Sequence, residues 1–557
     1  MRTPSGWLAA RLPASRRAAD GDRARVRDAR SALRPPQDWR DSRLWRGTAA
    51  VLAGALPMLA FPAPSLWWFA YVALVPWLLL VRSAPTAKRA AYDGWLGGFG
   101  FMVAVHHWLL PSLNVFLFVL AALLGALWVP WGVLVRHFLA GVPSRGRIAA
   151  ALVVLPSGWL MVELVRSWQG LGGPWGLLGA TQWQVQPALR LASVGGTWLL
   201  SFLVVGVNTA VAVLVGVRQS RVPAVAGLVA TAAATGAAWV WSPRPDVEAD
   251  VRIAVVQPGV IDGKAGITRR FDREAALTRG LAGHHVDLVV WGESSVGYDL
   301  TKRPDLTKRL AALSRQVGAD ILVNVDARRA DRPGIYKSSV LVGADGLTGD
   351  RYDKMRLVPF GEYIPARSLL GWATSVGKAA GEDRRHGTEQ VVMNVGHGLR
   401  IGPLICFETA FPDMSRHLAA DGAQVLVGQS STSSFQSSWA PAQHASLGAL
   451  RAAETGRTMV HATLTGVSAV YGPDGTAIGP RLGTDANTAA VYDVPVAHGV
   501  TPYVRYGDWV VHAAVLILAA LGAAEAVRVL RARRATAAVP QSPPARTVRE
   551  SPVRPGR

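Results

Sequence analysis

The chain has 557 residues, of which 50% are hydrophobic, and it carries a formal net charge of +22. This length exceeds what one hydrophobic core usually supports, which argues against a single-domain protein. Cys406 is the only cysteine, so an intrachain disulfide is excluded.

Both ends of the chain are rich in arginine. Residues 1–46 contain twelve Arg against five Asp, and residues 528–557 contain eight Arg against one Glu. Residues 1–46 show little apolar periodicity and lack the apolar core and cleavage site of a secretory signal. We predict disordered basic tails at 1–46 and 529–557. Such tails can bind nucleic acid, but beside membrane spans they act as topology signals, so no nucleic-acid partner is needed.

Long apolar runs follow one another between residues 47 and 242. Most of them approach the ~20 residues with which a helix crosses a bilayer, although the first is short and contains Pro57. The seven runs are 47–61, 66–82, 92–110, 114–139, 147–166, 194–217 and 222–242. An eighth run, 509–527, follows a more polar region. We therefore predict a polytopic α-helical membrane domain of seven spans at 47–242 and an eighth span at 508–528.

The connections between these runs alternate in charge. The charged connections hold Arg82, Lys88 and Arg89 after the second run, Arg136, Arg145 and Arg147 around the fourth connection, and Arg218 and Arg221 after the sixth run. The connections near 62–65, 111–113 and 167–186 contain no Lys or Arg. Because cytoplasmic loops carry the excess of positive charge, both termini are predicted to be cytoplasmic. Seven crossings then place residues 249–497 on the extracytoplasmic side of the cell membrane.

Ionisable residues inside the apolar runs suggest one alternative. His106 and His107 lie near the outer end of the third run, and Glu163 and Arg166 lie near the outer end of the fifth. Such groups can mark a transport pathway, although at helix ends they often pair or reach the interface. A transporter or lipid-binding receptor with an inactive outer domain therefore remains open.

Residues 249–497 have frequent charges and apolar runs of strand length only. The strand-like segments are 251–259, 286–294, 320–328, 338–346, 399–408, 423–431 and 457–475, and helical patterns cover 271–283, 303–318 and 439–456. This pattern predicts an α/β domain with a buried sheet that helices cover on one face. The stretch YGPDGT at 471–476 predicts a hairpin turn.

Three polar residues are catalytic candidates, and two of them follow strand-like segments, where an α/β fold exposes reactive groups. Glu293 follows DLVVW, Cys406 follows GPLI, and Lys354 lies in YDKMRLVPFGEYIP. A cysteine attacks carbonyls as the thiolate, for which Glu293 could act as base, and Lys354 could stabilise an oxyanion. On spacing alone, a small buried cysteine and two surface charges are the more common interpretation.

The motifs WGES (291–294), YDKMRLVPFGEYIP (352–365) and ICFE (405–408) resemble, in order, the Glu–Lys–Cys triad of the nitrilase superfamily. The form KMRLVPFGEYIP and the layout of apolar runs are similar to the apolipoprotein N-acyltransferase family, over roughly residues 47–528. The resemblance implies a nitrilase-like α-β-β-α sandwich at 249–497. It implies Cys406 as nucleophile, Glu293 as base and Lys354 as oxyanion stabiliser, without metal or cofactor.

The same resemblance implies supporting residues. Glu362 would hold the lysine, Phe407 and Glu408 would shape the pocket, and Gln257 and His444 would assist, although either could be a structural polar residue. The chain departs from the family at Gly292, where Pro is common, at Phe407, where Tyr is common, and at SSTSSF (430–435), which replaces Asn-Asp-x-Trp-Phe. Substrate choice is the property that these departures leave open.

The implied reaction is a ping-pong transfer at the surface of the bilayer. A membrane phospholipid would acylate Cys406, and the thioester would pass its acyl chain to the N-terminal amine of an S-diacylglyceryl-cysteine apolipoprotein. A membrane-tethered nitrilase-type amidase that uses water as acceptor would employ the same three residues and is the nearest alternative.

Overall fold

The computed structural model describes residues 43–217, 221–261, 266–371 and 381–537. Residues 1–42 and 538–557 of the predicted tails, and Arg218, lie outside the described residues. Residues 43–46 of the first predicted tail and residues 529–537 of the second are helical, so these parts of the two predicted disordered tails are wrong.

Helices make up most of the chain up to residue 241. Those of eight or more residues are α1 (Arg43–Ala55), α2 (Val75–Arg82), α3 (Ala87–Val105), α4 (Phe116–Gly125), α5 (Trp128–Leu139), α6 (Arg145–Arg166), α7 (Gln186–Gly216) and α8 (Val222–Trp241). We call residues 43–241 the helical block. Near the end of the chain follows the long helix α13 (Trp509–Ala537).

The predicted number of spans is not confirmed. Among the described residues, four helices are long and apolar enough to cross a membrane: α6, α7, α8 and α13. The number rises to six if two bent pairs are counted as spans, namely Ala87–Val105 with His107–Leu113 (62°) and α4 with α5 (42°). The first predicted run ends its α-helix at Ala55, just before Pro57, and the second forms only the short apolar segment Trp67–Arg82.

Helix α7 is broken in its middle. Gly195 and Gly196 have non-helical backbone angles, and Gly196 has φ +69°. A Cβ at Gly196 would lie 2.6 Å from the ring of Tyr503, which follows the sandwich domain. Glycine is therefore required here both for the left-handed backbone and for the close approach of the aromatic ring. The break therefore ends the first segment of α7 where the helical block contacts the part of the chain that follows the sandwich domain.

Residues 246–498 form two six-stranded sheets. The strands are β1 (Asp246–Gln257), β2 (Leu288–Trp291), β3 (Asp320–Arg328), β4 (Ile335–Gly343), β5 (Gly346–Asp353), β6 (Met393–Val395), β7 (Leu399–Ile405), β8 (Val425–Ser430), β9 (Thr458–Thr463), β10 (Ser468–Tyr471), β11 (Ala477–Leu482) and β12 (Thr488–His498). The orders are β12-β1-β2-β3-β4-β5 and β11-β10-β9-β8-β7-β6. The predicted turn at 471–476 joins β10 to its antiparallel neighbour β11.

The helices of this domain are α9 (Gly266–Arg279), α10 (Pro304–Val317), α11 (Pro412–Ala420) and α12 (Ala440–Thr455). Alternate residues of each central strand face opposite sides of its sheet. Val255 packs towards the second sheet with Val427, whereas Val256 packs towards α9 and α10. The single helix-covered sheet that the strand pattern predicts is therefore wrong, and the α-β-β-α sandwich implied by the family resemblance is present.

The second helical layer of the sandwich also packs on the helical block. One apolar cluster contains Leu450 of α12 and Phe411, which precedes α11, together with Leu189 of α7 and Trp159 of α6. At its other end the cluster includes Trp77, Trp128 and Trp131, with ring centroids of Trp77 and Trp131 5.0 Å apart. The layer that carries α11 and α12 is therefore enclosed between the second sheet and the helical block.

Candidate active site

Cys406 lies at a sharp bend directly after β7. It opens the 3-10 turn Cys406–Ala410 and has φ +52°, a region that L-amino acids rarely adopt. The thiol Sγ lies 3.9 Å from the carbonyl oxygen of Ser431, which follows the neighbouring parallel strand β8. A strained bend at a strand end turns the side chain out of the sheet, which suits a nucleophile.

Glu293 and Lys354 reach the same place from the first sheet. Glu293 follows β2 and Lys354 follows β5, and the Lys354 Nζ lies 3.3 Å from the Glu293 Oε1. Both residues are almost fully buried, with 3% and 1% of their surface exposed. The structure thus brings together the polar residues that the strand pattern and the family resemblance single out.

Glu362 completes the surroundings of Lys354. Its Oε1 accepts a hydrogen bond from the Lys354 Nζ at 2.8 Å, and its Oε2 accepts one from the backbone N–H of Val358 at 2.8 Å. The loop 355–365 is therefore folded around its own glutamate. As the resemblance implied, Glu362 contacts the lysine, which restricts where the ammonium can lie.

A second lysine, Lys337 of β4, was missed by sequence reasoning. Its Nζ donates to the Glu293 Oε1 at 2.7 Å and lies 3.0 Å from the Glu362 Oε1. The available signal was a lysine early in the strand IYKSSVLVG, just before a fully buried run. Two lysines and two glutamates therefore share one site.

The charges of this site oppose the effect of burial. Burial raises the pKa of Cys406 to about 12; the nearby Glu293 carboxylate adds to this, while Lys354 and Lys337 lower it. Burial also disfavours the ionised form of Glu362, but Lys354 and Lys337 outweigh it and lower its pKa to about 2. The pKa of Glu293 is lowered too, since Lys337 and Lys354 outweigh its burial. At neutral pH the thiol is therefore protonated and both carboxylates are ionised.

Glu408 anchors the loop that carries Lys354. Its Oε1 accepts hydrogen bonds from the hydroxyl of Tyr352 at 2.7 Å and from the backbone N–H groups of Met355 and Arg356 at 2.8 and 3.0 Å. Its Oε2 accepts from the backbone N–H of Ile405 at 2.8 Å. Glu408 therefore ties the strand end before the nucleophile to the lysine loop.

His444 and Phe407 also contact the nucleophile segment. The His444 Nε2 lies 2.9 Å from the Cys406 carbonyl oxygen, so this nitrogen carries the proton and donates it. Burial lowers the pKa of His444 to about 4, which keeps the ring neutral. The ring of Phe407 packs edge-on against Phe411 at 4.9 Å, and both rings lie against Gly173 of the helical block.

Gln257 makes its hydrogen bonds to groups outside the charged cluster. Its Nε2 donates to the carbonyl oxygens of Gly466 and Gly483, and its Oε1 accepts from the hydroxyls of Thr463 and Ser468. All of these contacts join strands and turns of the two sheets. The structural interpretation of Gln257 is therefore the better one.

The segment SSTSSF lies between the nucleophile and the helical block. The carbonyl oxygen of Ser431 lies 3.9 Å from the Cys406 Sγ. The ring of Phe435 packs against Trp108 with centroids 5.0 Å apart. Trp108 packs in turn on Trp175, whose Nε1 donates to Gln443 in α12 at 2.8 Å. The departure from the family pattern thus falls on an aromatic contact next to the nucleophile.

Glu163 and Arg166, two ionisable residues of the helical block, hold the loop that contains Trp175 in place. Glu163 accepts hydrogen bonds from the Trp159 Nε1 at 2.9 Å and the backbone N–H of Leu178 at 2.8 Å. Arg166 donates to the carbonyl oxygens of Trp175 and Gly176. These contacts give Glu163 and Arg166 a structural task close to the catalytic domain, which weakens the case for a transport pathway.

Within the ranges that the structure describes, no group of three or more His, Cys, Asp or Glu side chains could hold a metal ion. The reactive and charged groups that lie together in the site are the thiol, the two carboxylates and the two ammonium groups.

Comparison with known proteins identifies the family of the chain. The model of the apolipoprotein N-acyltransferase N-terminal domain matches residues 53–210, and that of carbon-nitrogen hydrolases matches residues 252–498. A relative from Azotobacter vinelandii, named apolipoprotein N-acyltransferase, is 30% identical and the match covers 84% of this chain and 92% of the relative. The chain belongs to the apolipoprotein N-acyltransferase family. A family member from Geobacter metallireducens is 28% identical, with 85% of this chain and 94% of that protein covered.

Solved structures of the nitrilase superfamily are similar to part of the chain. A mutant amidase from Nesterenkonia AN1 is 19% identical, with a TM-score of 0.34, 49% of this chain and 98% of the amidase covered. Nit3 from Saccharomyces cerevisiae is 15% identical, with a TM-score of 0.35 and 47% and 96% covered. Family membership rests on the sequence relatives.

Proposed function

We propose that the protein is an apolipoprotein N-acyltransferase that carries the acyl chain as a thioester on Cys406. The observation that supports this most is the contact of Glu293, Lys354 and Glu362 beside the strained bend at Cys406, in a chain of that family. The donor is a membrane phospholipid, and the acceptor is the N-terminal amine of an S-diacylglyceryl-cysteine apolipoprotein.

The first half-reaction needs a base. Because burial keeps the Cys406 thiol protonated at neutral pH, its proton must leave as the sulfur attacks. The proton passes to the Glu293 carboxylate, the sulfur bonds to the ester carbonyl carbon, and the carbonyl electron pair moves to oxygen. Lys354 stabilises that oxyanion. On collapse the ester C–O bond breaks, and Glu293 returns the proton to the departing lysophospholipid oxygen.

The second half-reaction uses the same groups in reverse. The lone pair of the acceptor amine attacks the thioester carbonyl carbon, and a C–N bond forms as the C–S bond breaks. One amine proton passes through Glu293 to the sulfur, which restores the thiol. Glu362 keeps the Lys354 ammonium in place during both halves, since it is the nearer of the two carboxylates to that ammonium, at 2.8 Å.

The helical block would keep both lipid substrates in contact with the bilayer. Extracting an acyl chain into water costs about 0.8 kcal/mol per CH₂ group, so a lipid would leave the membrane only slowly. We propose that residues 47–242 and 508–528 form the membrane part in the cell membrane, with residues 249–497 outside and both termini in the cytoplasm. The alternating arginines and the apolar helices support this arrangement, with eight crossings counted from the apolar runs.

The decisive experiment is to incubate the purified protein with phospholipid vesicles without an acceptor and to weigh it intact by mass spectrometry. We expect a hydroxylamine-labile mass increase of one acyl chain, absent in Cys406→Ala. Glu293→Gln and Lys354→Ala should also lack the adduct. An unmodified protein with intact lipid would overturn the proposal. Release of fatty acid to water as fast as to a lipopeptide acceptor would favour the hydrolytic alternative.

A further inference from the structure

Two ammonium groups contact the same carboxylate oxygens in the site. The Glu293 Oε1 lies 2.7 Å from the Lys337 Nζ and 3.3 Å from the Lys354 Nζ, and the Glu362 Oε1 lies 3.0 and 2.8 Å from the same two nitrogens. Of the two lysines, Lys337 is therefore the nearer to the base. The resemblance assigns a task to Lys354 and leaves Lys337 without one.

The other charged groups around Lys337 largely compensate one another. Asp326 of β3 lies 4.0 Å from the Lys337 Nζ, and it is paired with Arg384 at 3.3 Å. On the far side of Cys406, burial lowers the pKa of His444 to about 4, and that of His461 is also lowered well below its usual range, so both rings are neutral. Burial raises the pKa of Glu408, the remaining carboxyl group near the thiol, and its backbone donors oppose this.

We propose that Lys337 is a positioning residue that balances the charge of the Glu293–Glu362 pair and so makes the Cys406 thiol acidic enough to react. This role rests on the proposed function only in that Cys406 is the nucleophile. Lys337 acts through Glu293 and through its charge, and it needs no contact with the substrate.

The summed charge of the site during the first half-reaction explains why one lysine is insufficient. At rest the two carboxylates and the two ammonium groups sum to zero. When the thiol proton moves to Glu293, the negative charge moves from the Glu293 carboxylate to the sulfur, and the sum stays zero. When the sulfur attacks, the same negative charge moves to the oxyanion. Without Lys337 each of these states would carry one uncompensated negative charge in a buried site, so release of the thiol proton to solvent would add a second one and the thiol would be less acidic.

A purely structural lysine would act differently. Lys354 already bridges Glu293 and Glu362, so the two carboxylates would stay together if Lys337 were only a spacer. Removal of Lys337 would then alter stability but leave the acidity of the thiol unchanged. The acidity of Cys406 is therefore the property that separates the two roles.

Because Cys406 is the only cysteine, alkylation by iodoacetamide reports on this thiol alone. The rate is measured against pH on the full-length protein in detergent micelles. Between pH 6 and pH 9 the rate rises with the thiolate fraction, and in Lys337→Gln we expect this rising profile to move to higher pH by about 1 unit, which is an about tenfold lower rate at each pH. Lys337→Arg should restore most of the rate. Lys302→Gln, on an exposed lysine, is the matched control and should match the unaltered chain.

A profile of Lys337→Gln that coincides with that of the unaltered chain would overturn the proposal. Asp326→Asn gives a second test if Lys337→Gln fails to fold, since removal of this anion should move the rate profile to lower pH. A shift to higher pH or none in Asp326→Asn would contradict the proposal. If alkylation shifts as expected but phospholipid gives no acyl-enzyme, Lys337 keeps its role and the proposed donor is wrong.

Discussion

The carboxylate of Glu454 accepts two hydrogen bonds from Thr197, one from its backbone N–H at 2.7 Å and one from its hydroxyl at 2.6 Å. Thr197 directly follows the glycine break in α7, and Glu454 lies near the end of α12. Arg451 joins them, since it pairs with Glu454 and donates to the carbonyl oxygen of Ala410 in the nucleophile turn. A buried ion pair thus connects the broken helix with the segment that begins at Cys406.

Glu454→Gln should therefore destabilise the protein strongly. It leaves the buried Arg451 guanidinium without its counter-charge, and breaking such a pair from one side costs about 3–5 kcal/mol. Thermal unfolding in detergent measures the loss. Glu382→Gln, which removes an exposed partner of Arg328 in the sandwich domain, should change stability by less than about 1 kcal/mol. Equal effects of the two substitutions would contradict the coupling.

Gly173→Ala should impair acylation of Cys406. A Cβ at Gly173 would lie 2.7 Å from Phe407 and 2.8 Å from Phe411, so the ring next to the nucleophile must move. Gly172→Ala is the matched control, because Gly172 also has positive φ but open space around its Cβ. Both substitutions should cost about 1 kcal/mol of stability from backbone strain. Only Gly173→Ala should slow formation of the acyl-enzyme in the mass measurement; an equal slowing in Gly172→Ala would remove the steric explanation.

Stability should fall as the pH falls from about 6.5 to 4. Burial lowers the pKa of His444 to about 4, whereas an unfolded histidine titrates near 6.5. In this window the unfolded chain binds a proton that the folded site refuses, which costs up to about 3 kcal/mol. In His444→Gln the decrease in unfolding temperature between pH 7 and pH 4.5 should be smaller, with His461 responsible for the rest. The exposed His417→Gln should retain the full decrease, and a full decrease in His444→Gln would refute the assignment.

Reporter fusions test the proposed topology. A reporter that is active only outside the cytoplasm should be active when fused after residue 350, if seven crossings precede it as proposed, and inactive when fused after residue 534. The control is a cytoplasm-active reporter at the same two sites, which should give the opposite pattern. Activity of the cytoplasmic reporter at residue 350 would show that the charge pattern was misinterpreted.

Much of the catalytic domain was predictable because its signals are local. Glu293 and Cys406 each follow a strand-like segment, and Lys354 lies in a loop that its prolines and glycine mark. The role of each residue remains a prediction, but their proximity is observed. Lys337 was not predictable, because its side chain reaches the site only through the register of β4 on β3, where it lies opposite Asp326. Register is a long-range property that a strand motif does not contain.

The helical block was predicted less well, for a physical reason. Apolar length records composition, whereas the helices are set by local breaks such as Pro57 and the bends at residues 106 and 126–127. The strand pattern had the same weakness, since it indicates buried strands but not how many sheets they form. Only the family resemblance supplied the second sheet.

The layer of α11 and α12 packs on both the second sheet and the helical block. The two parts of the protein therefore depend on each other for burial of their apolar surface. Cut free at residues 249 and 497, the sandwich would expose Phe407, Phe411 and Leu450, which the helical block now covers. An isolated catalytic fragment should therefore aggregate in water. A single membrane anchor could not replace the helical block, because the rings of Phe407 and Phe411 beside the nucleophile pack against Gly173 of that block.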